Sequence, residues 1–392
     1  MPINYEQLRL QVRRSGKNFA SRAAIREQQL RNAAALLTRL AADPAFPMRM
    51  RQVLESAPGE RCASPSDEPI DRGIPASGHL IQALTILAAD GSQINPDRHD
   101  ALPIGLINTA VIRYRANSGA SPQIVTATTL LDPDDFSLDN SGLNEDRIAL
   151  QRDVAERELL AAEAEKTPPE FTVIALTDGP LELFTLRQAL AGQQQYIDRY
   201  RSALQVLFQR RALLAGYIDR PRADLVIRML ELAGRETDGS EGSSYPLVDD
   251  SLLFSGLLEP GERSAVFGLN SRSNRELDEA VRFSFFYLNC GERHHPQIAR
   301  VEIPAWVAVD QEALNNLHAC LLSQAQITAG VAYPYILHRA HECAVVSVAE
   351  KERIQNLMLR EFAAQGMPLS GKSGKQRLKD LSGRKRTGQI SG

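Results

Sequence analysis

Cysteine is scarce and scattered: Cys62, Cys290, Cys320 and Cys343 stand apart, with no CxxC pair. That excludes a zinc ribbon and a disulfide framework, and it fits a reducing compartment. No stretch approaches the roughly 20 consecutive apolar residues of a membrane span, so no membrane partner is expected. The opening residues, MPINYEQLRLQVRRSG, lack the apolar core of a signal peptide, and the expected location is cytoplasmic. Positive charge is not in excess either. A net charge of -3 does not advertise nucleic-acid binding, although a net value hides segregated charge.

What is present is the balance of an ordinary globular protein, 43% hydrophobic and 24% charged. A chain of 392 residues can bury a large core, as one large domain with appendages or as two domains. Three segments are expected: a helical N-terminal extension and linker over 1–76, a main domain over 77–366, and a basic flexible tail over 367–392. Within the first, Leu8, Val12, Phe19, Ile25, Leu30, Leu37 and Leu40 recur at roughly helical spacing, predicting helix over 4–57. Residues 58–76 form a Pro/Gly/Ser/Asp connector. The tail GKSGKQRLKDLSGRKRTGQISG is rich in Gly, Ser and basic residues, which predicts disorder. It would hold a polyanion loosely or simply aid solubility.

Between these ends the pattern is mixed. Strands are predicted over His79 to Ala89, Pro103 to Arg115 and Pro122 to Leu131, spaced tightly enough for an antiparallel meander. A charged helix from Asn144 to Lys166 follows, then the apolar strand FTVIALTDGPL and a helix over Gln188 to Leu214. AGYIDRPRADLVIRMLEL reads as a strand entering a helix, and a loop-rich stretch of some 50 residues surrounds DGSEGSSYP. The strands VRFSFFYLNC and IARVEIPAWVAV precede helices over Asp310 to Gln326 and Pro334 to Gln365. Three strands, then helix, strand, helix and strand, is the order of a ribonuclease H-like sheet. The expected class is therefore α/β, a mixed sheet flanked by helices.

Several motifs invite a chemical reading. GMPLSGKS, Gly366 to Ser373, satisfies G-x-x-x-x-G-K-[ST]. A phosphate-binding loop needs a strand before it and a helix after it, so that backbone amides converge on the phosphates. Here a charged helix precedes and a polar tail follows, so the match is discounted. ILAADGS and VIALTDGPL each run an apolar strand into Asp-Gly, placing Asp90 and Asp178 at comparable strand ends before tight turns. Such an Asp usually caps a neighbouring amide, but two of them, with Glu156, Glu158 and Glu163 on the helix between, are the oxygen donors that hard cations require. In AYPYILHRAHECAVV, His338, His341 and Glu342 share one helical face, although neither HExxH nor its inverse is formed. Arg220 and Arg222 in YIDRPRAD could contact phosphate or simply face solvent.

Taken together, the DGS at Asp90, the TDGPL at Asp178, YIDRPR and YPYILHRAHE, in this order, resemble the NurA family of DNA nucleases. The resemblance covers roughly Leu80 to Gln365. It implies that Asp90 and Asp178 are metal-binding carboxylates. The family's intervening Glu falls on Glu158 by distance, with Glu156 a close rival, and its characteristic Tyr and His fall on Tyr333 and His341. His341 would be a further ligand or an acid–base group. One departure is Pro180, where the family commonly repeats DGS; proline removes a backbone donor and leaves the carboxylate. The resemblance further implies two Mn²⁺ or Mg²⁺ ions, 5′–3′ exonuclease or endonuclease action on DNA, and a homodimer. The expected partner is a HerA-type hexameric DNA-translocating ATPase, in end resection and repair or in antiviral defence. Arg220 and Arg222 would then bind DNA. Two other readings predict different outcomes: a non-catalytic ring-capping or clamp subunit would not cleave DNA, and an ATPase would depend on Lys372.

Overall fold

β-Branched and aromatic runs form strands and 3.6-residue periodicities form helices throughout the computed structural model, which describes residues 3–77, 83–96, 104–131, 143–183, 194–238, 244–328 and 330–365. In chain order the elements begin with α1 (Tyr5–Ala41), α2 (Phe46–Ser56), β1 (Cys62–Pro65), β2 (Leu84–Ile94), β3 (Gly105–Arg115) and β4 (Gln123–Leu131). Next come α3 (Leu143–Glu165), β5 (Thr172–Asp178), α4 (Gln194–Gln209), β6 (Leu213–Ile218), α5 (Leu225–Asp238) and α6 (Asp250–Ser255). The remainder are β7 (Phe267–Asn270), α7 (Arg272–Arg275), β8 (Phe283–Asn289), β9 (Ile298–Pro304), α8 (Ala305–Ala308), α9 (Gln311–Ala325), α10 (Tyr335–Ala344) and α11 (Val348–Ala364). The run β2-β3-β4-α3-β5-α4-β6 is the ribonuclease H-like order, and the class is α/β, with a mixed sheet flanked by helices.

The chain divides into two compact units. One gathers the described residues of Met1–Leu84, Thr172–Arg187 and Arg211–Tyr335. Its strands lie in the order β1-β7-β8-β9-β6-β5. β5 and β6 run parallel, with Asp178 opposite Tyr217, and the other pairs are antiparallel. Phe254, Phe267, Phe285 and Tyr287 are buried together, with Phe254 stacked on Tyr287 at 4.6 Å between ring centroids. Asp250, fully buried, accepts from the amides of Val226 and Ile227 at 2.9 Å each and from the Tyr287 hydroxyl at 2.6 Å. It thereby satisfies donors at the start of α5 that the helix itself cannot. Burial nonetheless raises its pKa to about 6.

The other unit gathers the described residues of Thr85–Phe171, Gln188–Arg210 and Ile336–Gly392. β2, β3 and β4 form the antiparallel meander, with Asp90 opposite Ala110 and Asn108 opposite Thr128. Ile107 of β3, Leu131 of β4 and Ile148 of α3 form one buried cluster. Arg210, just past α4, donates to the carbonyls of Pro168 and Phe171 at 2.8 and 2.9 Å, fastening the segment between α3 and β5.

The structure alters several expected boundaries. The helix predicted over 4–57 breaks where Asp43 accepts the Ala45 amide at 2.9 Å and Pro44 cannot continue the helix. The connector 58–76 contains β1, and the loop-rich stretch contains α6, β7 and α7. The last helix is two helices, because Ser347 and Glu350 form a capping box that starts α11 afresh. The helix predicted to Leu214 stops at Gln209, since Leu213 and Leu214 already pair with β5. Residues 78–82, 103, 188–193, GMPLSGKS and the tail 367–392 lie outside the described residues.

His318, on α9, is buried, and its Nε2 donates to the Gly261 carbonyl at 3.0 Å. Burial pushes its pKa from the ordinary 6.5 down to about 4. A histidine depressed in the folded state contributes stability that is full above pH 6.5 and is lost as pH falls toward its folded value. Between pH 7 and pH 5 the protein should lose about 2 kcal/mol more stability than the His318→Gln variant. Urea midpoints at the two pH values measure this, and equal losses would contradict the assignment.

Candidate active site

The stretch ADGS does not end its strand. β2 runs unbroken to Ile94, pairing Asp90 with Ala110, Gly91 with Thr109 and Ser92 with Asn108. The expected turn at Asp90 is therefore corrected: the apolar residues of Pro103 to Arg115 supply a full-length partner, and backbone pairing carries the chain through Asp-Gly-Ser. Asp90 is only 7% exposed. Its Oδ1 accepts the Gly91 amide at 2.8 Å, and its Oδ2 lies 2.7 Å from Nδ1 of His341. The partner that a buried carboxylate demands is an imidazole in this structure.

His341 reaches Asp90 because α10 buries Ile336, Leu337, Ala340 and Ala344 and leaves His338, His341 and Glu342 on the outer side. Glu342 is taken by Arg339, with His338 Nε2 at 3.5 Å. Only His341 of that trio meets the strand.

Gly91 has a packing reason. A Cβ built on it would lie 2.7 Å from Oε1 of Glu156 and 2.9 Å from Cγ of Arg152, so only glycine lets α3 approach β2 this closely. Glu156 is 3% exposed. Arg157 Nη1 lies 2.8 Å from its Oε2, and Arg152 Nε lies 3.4 Å from its Oε1. Burial raises its pKa well above the usual carboxylate range. Arg157 and Arg152 oppose that rise, while Asp153 and Asp90 add to it. Glu158 turns elsewhere: its two oxygens accept from Nε and Nη2 of Arg199 on α4, at 2.7 and 2.6 Å. Glu163, buried, pairs with Arg113 and with Lys166.

The remaining predicted residues belong to the other unit. Asp178 is the exposed last residue of β5, and here the tight turn is present: Gly179 has φ +86°, a conformation that suits glycine. The Gly179 amide donates to the Tyr217 carbonyl at 2.8 Å. Tyr217, opposite Asp178, is buried, and burial holds its hydroxyl pKa well above the ordinary value. The hydroxyl lies 3.4 Å from the Ala332 carbonyl, and its ring meets Tyr333 edge-on at 5.4 Å. Tyr217 opens the YIDRPR stretch, and only the strand register shows it beside Asp178. Arg220 and Arg222 are exposed on the loop after β6, Arg220 with φ +45° and Nε 3.8 Å from Asp219.

The structure thus brings Asp90, His341 and Glu156 into one unit, and Asp178, Tyr217 and Tyr333 into the other. A family model described as the NurA domain matches residues 84–346, from the first residue of β2 to just past α10. The chain belongs to the NurA family. Among solved structures, it is similar to the NurA nuclease from Sulfolobus solfataricus at 15% identity, covering 81% of this chain and 92% of that one, with a TM-score of 0.47. A second NurA structure matches at 11% identity, covering 80% and 94%, with a TM-score of 0.43. Human endonuclease V matches at 11% identity, covering 70% and 86%, with a TM-score of 0.32. No curated protein matches it in sequence.

The NurA resemblance implies a metal, and the donor chemistry allows a test. Among the described residues, no three His, Cys, Asp or Glu gather around one point. Asp90 and Glu156 nevertheless offer hard oxygen donors, and the charge of Asp90 is felt at Glu156. Buried carboxylate oxygens are the hard donors that a divalent cation takes. The donor types suit such an ion. Gly91→Ala should push α3 away from β2 and cost about 1–3 kcal/mol. Thermal unfolding measures it; an unchanged midpoint would show that the close approach is not tight.

Proposed function

We propose that this NurA-family chain is a metal-dependent deoxyribonuclease that hydrolyses phosphodiester bonds. The observation that carries the proposal is Asp90, a carboxylate built into the middle of a buried strand and held by His341, with the buried Glu156 on the helix that packs against Gly91 of the same strand. A carboxylate so costly to bury points to chemistry rather than to packing.

Asp90 and Glu156 would hold a divalent cation, Mn²⁺ or Mg²⁺, with Asp178 assigned as a further ligand by the family pattern alone. Of the rival glutamates, Glu156 is preferred over Glu158, because it is buried against Gly91 of the strand that carries Asp90, whereas Glu158 is partly exposed and turned to Arg199 of α4. When bound, one or two such ions make a water more acidic and neutralise charge on the leaving oxygen. The protein's own groups would do the rest. His341 engages Asp90 through Nδ1, which leaves Nε2 as the ring atom able to carry a proton to or from the substrate. Tyr333 would orient a phosphate or a water. Arg220 and Arg222, both exposed, would contact DNA phosphates without reading sequence.

The resemblance supports the finer reading: DNA cleaved from 5′ ends or internally, by a homodimer working with a HerA-type hexameric ATPase in end resection or antiviral defence. The partner would then supply the ATP chemistry.

Asp90→Asn retains strand pairing and should lower cleavage of a labelled duplex in Mn²⁺ by at least about 100-fold. Glu156→Gln should do the same, and Glu158→Gln should stay within a few-fold of the parent. Undiminished cleavage by Asp90→Asn would overturn the site. No cleavage by the parent protein, with or without a HerA-type ATPase, would favour the clamp reading.

A further inference from the structure

Ser92, Asn108 and Thr128 occupy one row across three strands. Ser92 of β2 lies opposite Asn108 of β3, and Asn108 lies opposite Thr128 of β4. Asparagine is depleted in strands because it buries poorly and its amide competes with the backbone. Asn108 nonetheless interrupts the apolar run GLINTAVI. Its bonds explain it. Asn108 Nδ2 donates to the Ala344 carbonyl at 2.8 Å, and Ser92 Oγ donates to the same oxygen at 2.5 Å. Thr128 Oγ1 donates to Asn108 Oδ1 at 2.7 Å, which fixes the amide with its nitrogen toward Ala344.

Ala344 is the last residue of α10. The carbonyls of a helix's final turn have no partner within the helix and must find one elsewhere. Here the sheet supplies two donors to a single carbonyl. His341 stands three residues upstream, one turn along the same helix. Ser92 and Asp90, two residues apart on β2, project from the same face of the strand. The strand that carries the carboxylate therefore also fastens the helix that carries the imidazole, at two points one helical turn apart.

We propose that Ser92, Asn108 and Thr128 are positioning residues that hold the C-terminal end of α10 so that His341 faces Asp90. The proposal rests on the reading of Asp90 and His341 as site residues. Ser92 is then the working member of ADGS after the aspartate, a fastener for the second helix rather than part of a turn. None of the three needs to touch substrate; they act through the backbone of α10.

The test uses the full-length, metal-free protein as well as the Mn²⁺-loaded enzyme. Two-dimensional ¹⁵N–¹H spectra of the imidazole read the Nδ1 hydrogen bond of His341 directly. In Ser92→Ala/Asn108→Ala, that signature should be lost or averaged, and kcat should fall about 10- to 100-fold with KM changed less than about threefold, because a small misplacement of an acting group is costly. Restoring the hydroxyl alone, as Ser92→Thr/Asn108→Ala, should recover part of both signals. Should the double variant fail to fold, Thr128→Val, at an exposed strand position, removes only the bond that orients Asn108; it should broaden the His341 signal and lower kcat about threefold. An unchanged His341 spectrum in the folded double variant, or in Thr128→Val where only that one folds, would overturn the proposal. If the parent protein cleaves no DNA, the nuclease reading fails, and the spectra still decide the positioning role.

Discussion

The unbroken hydrogen-bonded ladder between β2 and β3 is the constraint on which the surroundings of Asp90 depend. It carries the chain straight through Asp90, Gly91 and Ser92 and so fixes three adjacent residues for three separate tasks. Asp90 presents a carboxylate to His341. Gly91 leaves the space in which Glu156 and Arg152 approach. Ser92 ties down the end of α10. A turn at this point, as the Asp-Gly-Ser composition suggests, would have released all three from a common frame.

The electrostatics follow from that frame. Asp90 and Glu156 are both buried, and neither has the solvent that normally pays for a carboxylate. Arg157 and Arg152 offset part of the cost at Glu156, and His341 offsets part of it at Asp90. Burial still leaves the pKa of Glu156 raised, with Asp153 and Asp90 adding to the rise. In the other unit, Asp178 stands on a glycine turn whose amide is held by Tyr217, and Tyr217 in turn braces Tyr333 edge-on. Each unit thus supports its family-assigned acid with its own local scaffold.

Much of the fold could be read from residue patterns. The β2-β3-β4 meander and the strands ending at Asp178 and Ile218 are apolar runs bounded by turn residues, and α3 is a long charged stretch between them, features that are legible in a chain. Composition misled at two kinds of place. Asp-Gly-Ser has turn chemistry, yet a full-length neighbouring strand overrode it. A short strand, β1, was hidden in a Pro/Ser-rich connector because it pairs with β7, some 200 residues away. The choice between Glu156 and Glu158 was also beyond the sequence. Both lie on one helix two residues apart, and only the fold shows that Glu158 turns to Arg199 while Glu156 packs against Gly91. Tyr217 was invisible for the same reason, since its place beside Asp178 is a matter of register between parallel strands.

The central claim is that Asp90 is buried in order to hold a cation. Crystals of the protein grown with Mn²⁺ and measured at the manganese absorption edge test it most directly. The account predicts an anomalous peak coordinated by the Asp90 carboxylate, with Glu156 rather than Glu158 beside it. Manganese bound elsewhere, with Asp90 still paired only to His341, would contradict it.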